Sequence, residues 1–584
     1  MELQSHKVPS AMLAAIGLLL ISAAALISNV EIERTLLGDT SHSLSWGPSL
    51  FRLLLVFHGI VLLVIAQRWF GLRKTKVQVA FAIRKTESFP WLLLSSLSVL
   101  ALGLRLWRLN TDLWFDELLT LLNYVRMPFG FIIARLPDQN NHIVFSLLSH
   151  ASVQVFGESA WAVRLPSVVL GVLSLWALFL LGRRILNTRE ALLTSALATV
   201  SYHHIWFSQN ARGYMGLLFF SILATWIWVE ARDRKDWRWW AGYVLAVAFG
   251  MWTHLTMVFV VAAHAIVFLA ALTRSLVARS QVDTRTWLQP VIAFLLAATV
   301  TLQLYALALP EFLSVGLHEV SLESEWTNPW WVVTETIRNL QIGFSGAFVV
   351  LSGTIMVGLG WLGIWRRDWE SGALMVLPPV LAGTTMLALG HNLWPRFFFF
   401  AMGFALLIAI HGAMSLPELL AQILKSRVAI VWPERLGRTA GFILTSLLLV
   451  ASAITVPRNY AHPKQDYSGA RDYVESQREP GDVVVAVGLA GVAYKSYFAP
   501  NWAVAQTESE LDSVRSGNKN VWLIYTIPVE VKAYRRDIWE TIQTKFTVVK
   551  VFPGTLGGGE VVVCRQLPDA GPQLAMGHNT PVNR

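Results

Sequence analysis

The sequence predicts an α-helical polytopic membrane protein of about 13 transmembrane helices, ending in a small extracytoplasmic α/β domain. Three observations predict it. Of the 584 residues, 54% are hydrophobic and 14% charged, with a mean hydropathy of +0.51; ordinary soluble proteins are about 25% charged. Apolar runs of roughly 17–22 residues recur along the chain, each long enough to cross a ~30 Å hydrocarbon core. Basic residues collect in short loops between those runs, as the positive-inside rule requires. The 26 Trp and 30 Phe suit lipid–water interfaces and packing between apolar helices. A lone cysteine, Cys564, excludes an intramolecular disulfide and a cysteine-rich metal site.

The predicted spans lie near 11–29, 50–66, 91–107, 161–182, 191–207, 213–230, 239–253, 255–273, 287–309, 346–365, 371–390, 396–415 and 438–456. Lys7 before the first run imitates a signal peptide, but its 19-residue length and the span close behind it favour a retained helix. With the N-terminus cytoplasmic, 23 of the 33 basic residues before Pro457 fall on the inner side. That split orients a multi-pass protein of the plasma (inner) membrane. Three parts follow: two extra helices and a basic cytoplasmic loop over 1–89, a transmembrane core over 90–456 with an outer loop at 107–160, and an extracytoplasmic domain over 457–584.

The net charge of +10 invites a nucleic-acid reading, which fails on distribution. From Pro457 onward 14 Lys/Arg face 13 Asp/Glu, and the other basic residues sit in the hydrophobic part. Nucleic acid is therefore excluded as a partner, and membrane lipids are expected. The tail alternates strand-like runs (482–487, 521–526, 546–552, 560–564) with helix-like ones (469–477, 531–543), the pattern of an α/β domain. A second outer segment is expected over 310–345.

Polar clusters gather on the predicted outer side. Leu113-Trp114-Phe115-Asp116-Glu117 follows the third span directly. Adjacent carboxylates beside aromatic rings suit a general base, or simply complement the dipole of a helix beginning there. Gln139-Asn140-Asn141-His142 precedes Ile143–Phe156, whose 14 residues are short for a span and are expected to lie along the outer surface. Cap residues of an interfacial helix are the plainer reading.

The stretch Ser201–Tyr214 packs His203, His204, Gln209, Asn210, Arg212 and Tyr214 between two apolar spans. Arg212 can grip a phosphate bidentately. His203 and His204 are adjacent, and adjacent helical side chains do not converge on a metal. Thr253-His254 and His391-Asn392-Leu393-Trp394-Pro395-Arg396 stand at further outer mouths, as site residues or as boundary anchors. Two motifs are decoys. Gly358–Gly363 spells GxGxxG inside a span with no strand before it, so helix packing explains it better than a dinucleotide. Gly557-Gly558-Gly559 reads as a turn.

Over about 90–456 the pattern resembles the GT-C glycosyltransferases that use polyprenyl-phosphate sugars. It is most similar to bacterial RgtA/B/C/D-like members, related to protein O-mannosyltransferases and the aminoarabinose transferases of lipid A. The resemblance rests on the run from Phe156-Gly157-Glu158 through Arg164-Leu165-Pro166-Ser167 to Gly182-Arg183-Arg184, on Trp206–Tyr214, and on Asp116-Glu117. The order and spacing of the three carry it. Two departures stand out. Aligned through His150 and Phe156-Gly157, Asn141 takes the place of the family's histidine, although a one-residue slip restores it as His142. Asn210 stands where relatives often carry a glutamate, which weakens a metal shared by two carboxylates.

The resemblance implies an inverting glycosyltransferase on the outer face, moving a sugar from a polyprenyl-phosphate donor to a glycan, lipid or protein acceptor. Asp116, supported by Glu117, takes the catalytic role. Arg212, Arg396, His142 and His254 are the candidates for the donor phosphate. Asn141, Gln209, Asn210 and Tyr214 support the loops. No metal ligand set is read from the sequence; a divalent cation stays open as the one cofactor. The alternatives are a lipid or polysaccharide transporter or flippase, and a non-catalytic envelope assembly or binding protein. Transporters typically place ionisable groups near the bilayer midplane, where these spans carry almost none.

The charge split predicts that a membrane-impermeant thiol reagent labels cysteines engineered into the tail in intact cells. Native Cys564 serves as a further outer probe if it is exposed in the fold. A cysteine in the Arg68–Lys85 loop stays protected. Labelling of the basic loop with protection of exposed tail positions reverses the topology.

Overall fold

The computed structural model describes residues 7–38, 43–71, 88–138, 140–279, 283–316, 330, 334, 337–338, 347–390, 393–427, 434–517 and 520–567. The chain folds into two compact units. The first comprises Met1–Asn110 and Leu119–Pro457; the second comprises Thr111–Leu118 and Arg458–Arg584. The segment carrying Asp116 and Glu117 belongs with the C-terminal domain, because its polar groups bond to residues 465–468.

The first unit is helical. Eight helices among the described residues are long and apolar enough to cross a membrane: Gly47–Gln67, Ala160–Ile185, Tyr214–Arg234, Met257–Val277, Thr284–Tyr305, Trp369–Ala388, Pro395–Pro417 and Leu436–Tyr460. A ninth candidate, Ser10–Leu26 with Asn29–Leu37, bends by 93°. Ser28 causes the break by forming a reciprocal capping box with Glu31. Three other predicted spans are shorter or interrupted. The helix Trp91–Leu106 has 16 residues and Trp237–Thr253 has 17. The run at 191–207 is divided into Thr188–Thr199 and Tyr202–Ser208, because Ser201 caps a new helix by accepting from the His204 amide.

The helices close on two buried clusters. Leu175, Leu178, Met215, Leu218, Ile222 and Leu407 form one; Trp228, Tyr243, Val247, Val260, Phe268 and Ala293 contribute to the other. Small residues let backbones touch. A Cβ on Gly360 would fall 2.0 Å from the Ile408 carbonyl oxygen, and one on Gly412 equally close to that of Met356. Gly360 belongs to the GxGxxG stretch, which lies inside the helix Ala347–Arg367. Its glycine serves helix–helix contact. His264 lies inside the span Met257–Val277, where its ring hydrogen-bonds with Tyr243 Oη at 2.9 Å and Thr225 Oγ1 at 3.1 Å and stacks on Trp228.

The second unit is an α/β domain on a five-stranded sheet. Its strands are β1 (Val483–Val487), β2 (Ala503–Ala505), β3 (Val521–Thr526), β4 (Phe546–Phe552) and β5 (Val561–Gln566), in the order β2-β1-β3-β5-β4. β1 pairs in parallel with both β2 and β3, whereas β5 runs antiparallel to β3 and β4. Its core holds Val485, Val487, Leu523, Val531, Ile538 and Val562. Of the predicted elements, 531–543 is divided at Arg535 into Pro528–Tyr534 and Arg536–Lys545. The three-residue β2 was too short to leave a period-2 signal. Cys564 is buried on β5, and burial pushes its thiol up to about 12. Topology labelling therefore requires engineered positions such as Ser513, which is exposed. Most of the predicted outer segment 310–345 lies outside the described residues.

Candidate active site

Within the helical unit, the site starts from a fully buried arginine that the sequence reading did not single out. Arg105, near the end of the helix Trp91–Leu106, donates to the carbonyls of Ala101, Ala198 and Thr199 at 3.0–3.3 Å. It thereby caps the C-terminus of the helix Thr188–Thr199, where a cation also complements the dipole. It further donates to Ser208 Oγ at 3.1 Å and His204 Nδ1 at 2.8 Å. His204 Nδ1 must then be unprotonated, leaving Nε2 to bond Ser174 Oγ at 3.0 Å. Gln209 Nε2 donates to the carbonyls of Arg105 and Trp107, so the stretch after residue 200 is pinned from both sides. This use of His204 is structural.

The pinned stretch delivers Arg212. A tight i→i+2 bond from the Arg212 amide to the Asn210 carbonyl, 2.7 Å long, turns the chain. Ser167 Oγ donates to the Arg212 carbonyl at 3.2 Å. Arg212 is 5% exposed. It donates to Thr120 Oγ1 at 3.0 Å, to the Asn140 carbonyl at 3.2 Å and to the Asn140 side-chain oxygen. Asn140 is itself oriented by Asp138, whose Oδ1 accepts from the Asn140 amide at 2.8 Å and from Tyr124 Oη at 2.7 Å. Burial, then the Asp138 charge, raises the Tyr124 phenol, which keeps it a donor. Asn141 secures the same turn, donating to the carbonyls of Ile132 and Arg135 and accepting from Ser146.

Two histidines face the arginine. His142 stacks on His254 with centroids 4.7 Å apart, and Tyr214 lies 5.7 and 5.6 Å from the two rings. The Arg212 guanidinium lies 5.9 Å from the Tyr214 ring. Gly213 is needed here: a Cβ would sit 2.8 Å from His142 and 3.0 Å from the Thr253 carbonyl. Burial, then the charge of Arg212, then His254, hold His142 well below the usual imidazole range. The same burial and Arg212 bring His254 down to about 3. The Arg396 charge also bears on His142, while its guanidinium lies over Trp394 at 4.9 Å. The structure thus gathers Arg212, His142, His254, Arg396 and Tyr214, with Asn141, Gln209 and Asn210 framing them. His391 and Asn392 lie outside the described residues.

Arg212 Nε and His142 Nε2 are buried without a hydrogen-bond partner. The hydrogen bonds of the guanidinium run to Thr120 and Asn140, both neutral. A buried cation without a counter-charge is costly, and an anion accepting from it would make a strong charge-assisted bond. Among the described residues no group of three or more His, Cys, Asp or Glu could hold a metal ion.

Asp116 and Glu117 occupy the first turn of the helix Phe115–Thr120. They differ sharply in setting. Glu117 is buried and accepts from the Trp114 amide at 3.1 Å, a capping role. Asp116 is half-buried. Within the second unit, Gln465 Oε1 accepts from the Phe115 amide at 2.8 Å, while Gln465 Nε2 donates to Thr526 Oγ1 at 2.8 Å. Asp112 accepts from the Ser468 amide and hydroxyl at 2.6 and 2.9 Å. The charges of Asp116 and Asp112 add to burial in raising the Tyr467 phenol. Gln465 was invisible in the sequence, since nothing local links it to a residue 350 positions earlier.

Residues 140–305 match the family model described as dolichyl-phosphate-mannose-protein mannosyltransferase. The matched segment contains His142, Arg212, Tyr214 and His254, and leaves Asp116 and Arg396 outside it. No curated protein matches the chain. Among solved structures, the chain is similar to ArnT from Cupriavidus metallidurans bound to undecaprenyl phosphate, at 14% identity, covering 83% of this chain and 100% of that one, TM-score 0.42. It is similar to the Archaeoglobus fulgidus oligosaccharyltransferase tethered with an acceptor peptide, at 12% identity over 80% and 73%, TM-score 0.46. A third is arabinosyltransferase EmbB from Mycobacterium smegmatis, at 13% identity over 73% and 47%, TM-score 0.38. Likeness at this level does not transfer residue roles.

The lowered histidines set a pH dependence. An unfolded histidine takes up a proton near 6.5, whereas His254 in the folded protein does so near 3. Between those values the unfolded chain binds more protons, so stability is complete above 6.5 and declines as pH falls. The melting temperature of the detergent-solubilised protein is expected to fall between pH 6.5 and 4, with His254→Gln shrinking the fall. An identical pH profile in the variant contradicts a neutral, buried His254.

Proposed function

We propose that this chain is an inverting glycosyltransferase of the GT-C type in the plasma membrane, working on its outer face with a polyprenyl-phosphate sugar as donor. The observation that carries the reading is the buried Arg212 guanidinium, with Nε unpartnered and only neutral groups bonded to it. A phosphate linked to sugar would supply the missing counter-charge. His142 Nε2 offers a second contact, and Arg396 adds positive charge. An isoprenoid tail would remain among apolar helices while its head enters this polar cluster.

The proposed reaction is a single displacement. The acceptor hydroxyl attacks the anomeric carbon, its proton passes to the Asp116 carboxylate, and the bond to the phosphate oxygen breaks with the electron pair leaving on phosphate. Inversion follows from one backside attack. General-base help is worth about 10²–10⁴-fold, and Arg212 stabilises the charge that builds on the departing phosphate. Neutral histidines beside Arg212 avoid adding like charge to the cluster; His254, whose Nδ1 accepts from the Thr256 amide, keeps its ring N–H at Nε2. Acceptors of three kinds, glycan, lipid and protein, fit this chemistry equally.

Purified protein assayed with matched polyprenyl-phosphate and nucleotide forms of each sugar tests the donor. Transfer from the lipid form alone is expected; efficient transfer from the nucleotide form without lipid overturns the assignment. Arg212→Ala should reduce donor use more than Arg212→Lys, which keeps charge but loses the bidentate fork. Asp116→Asn should cost at least about 10²-fold in turnover, with Glu117→Gln costing less. Near-normal turnover by the Asp116 variant removes the base.

A further inference from the structure

The C-terminal domain carries a second polar cluster that the transfer reaction does not use. In its sheet, β1 is flanked by β2 on one side and β3 on the other, all three parallel. The chain leaves β1 toward β2 and returns on the opposite side at β3. This is a topological switch point, and ligands of open α/β sheets bind in the crevice beyond the carboxyl ends of such strands.

The residues at that edge are unusual in three independent ways. Ile527, the first residue after β3, has φ +48°; a β-branched residue in the left-handed region is strained, and such strain collects at functional positions. Gly488, the first residue after β1, has φ +60°, and a Cβ there would lie 3.0 Å from Glu530 Oε2. Glu530 itself is 9% exposed, and its Oε2 is buried with no hydrogen-bond partner. Its neighbour Arg535 has an unpartnered buried Nε. Arg535 Nη1 stands 4.0 Å from Glu530 Oε1, too far for a hydrogen bond, while Nη2 donates to Gln506 Oε1 just after β2 at 2.8 Å.

The chemistry of the pair selects its ligand. A carboxylate held against the β1 turn repels the phosphates that bind such edges in nucleotide-binding domains. The guanidinium beside it repels cations. What remains is an uncharged group that donates to Glu530 Oε2 and accepts from Arg535 Nε, and hydroxyls do both. We infer that the switch-point edge formed by Gly488, Gln506, Ile527, Glu530 and Arg535 is a binding site for an uncharged, hydroxyl-rich sugar chain. Burial raises the Glu530 carboxyl, so a hydroxyl donor meets a carboxylate that gains more from that bond than a solvated one. The site stands independently of the proposed transfer reaction.

The test uses the full chain in lipid nanodiscs, with ligand-observed NMR and calorimetry. The probes are maltohexaose, mannohexaose and N-acetylglucosamine tetramer, with inorganic phosphate and AMP as anionic controls. Saturable binding of at least one neutral probe is expected, weakened at least tenfold by Glu530→Ala and by Arg535→Ala and unchanged by Asp116→Asn. Glu530→Gln, which preserves shape, guards against misfolding: it should melt like the parent yet bind more weakly. The proposal is overturned if no neutral probe binds, if all variants bind alike, or if phosphate or AMP displaces the sugar. Loss of transfer in Asp116→Asn with sugar binding intact separates this site from the catalytic reading.

Discussion

A guanidinium taken out of water must be surrounded by acceptors, and meeting that demand for Arg212 organises much of the helical unit. Thr120 supplies one acceptor and Asn140 two, so the segments on either side of residue 130 are tied to the stretch after residue 200. The stretch is in turn held by a second buried arginine, Arg105, which donates to helix-end carbonyls, Ser208 and His204. The contrast between the two is informative. Arg105 is saturated and therefore structural; Arg212 keeps a buried donor in reserve. Burial, and then the charge of Arg212, keep His142 and His254 neutral beside it.

Much of the architecture was legible because membrane helices and buried strands leave strong local signals. The helix Ile143–Phe156 has the predicted bounds, and β3 and β4 coincide with the predicted runs. The interruption at Ser201 was not legible as a break, since the hydroxyl that caps the new helix falls within the run 191–207 read as one span. Long-range polar bonds were hidden for a different reason. Arg105 meets His204 across 99 positions, and Phe115 meets Gln465 across 350; no periodicity encodes such pairs. Arg212 could be singled out because an arginine amid aromatic and amide residues between spans is chemically conspicuous. Asn140, its main partner, was quoted only as part of a polar run.

The C-terminal domain does more than follow the membrane helices. It contains the segment Thr111–Leu118 as one of its own elements, through Asp112–Ser468 and Phe115–Gln465. Gln465 continues to Thr526 at the end of β3, and Thr526 to the Glu560 carbonyl. The proposed base is thus carried by a hydrogen-bonded path that reaches the central sheet. Glu117, adjacent to it, is committed to the Trp114 amide, which separates the two carboxylates into a capping residue and a half-buried one. Substitutions far away at 465 or 526 are connected to the geometry of residue 116 by this path.

The central claim is that the Arg212 cluster receives the phosphate of a lipid carrier. Native mass spectrometry of the purified protein with undecaprenyl monophosphate, against an excess of phosphatidylglycerol, measures this without knowledge of the sugar or acceptor. The account predicts one carrier lipid retained per chain, with occupancy at least tenfold lower in Arg212→Ala and unchanged in Glu117→Gln. Equal retention by the Arg212→Ala protein would contradict it.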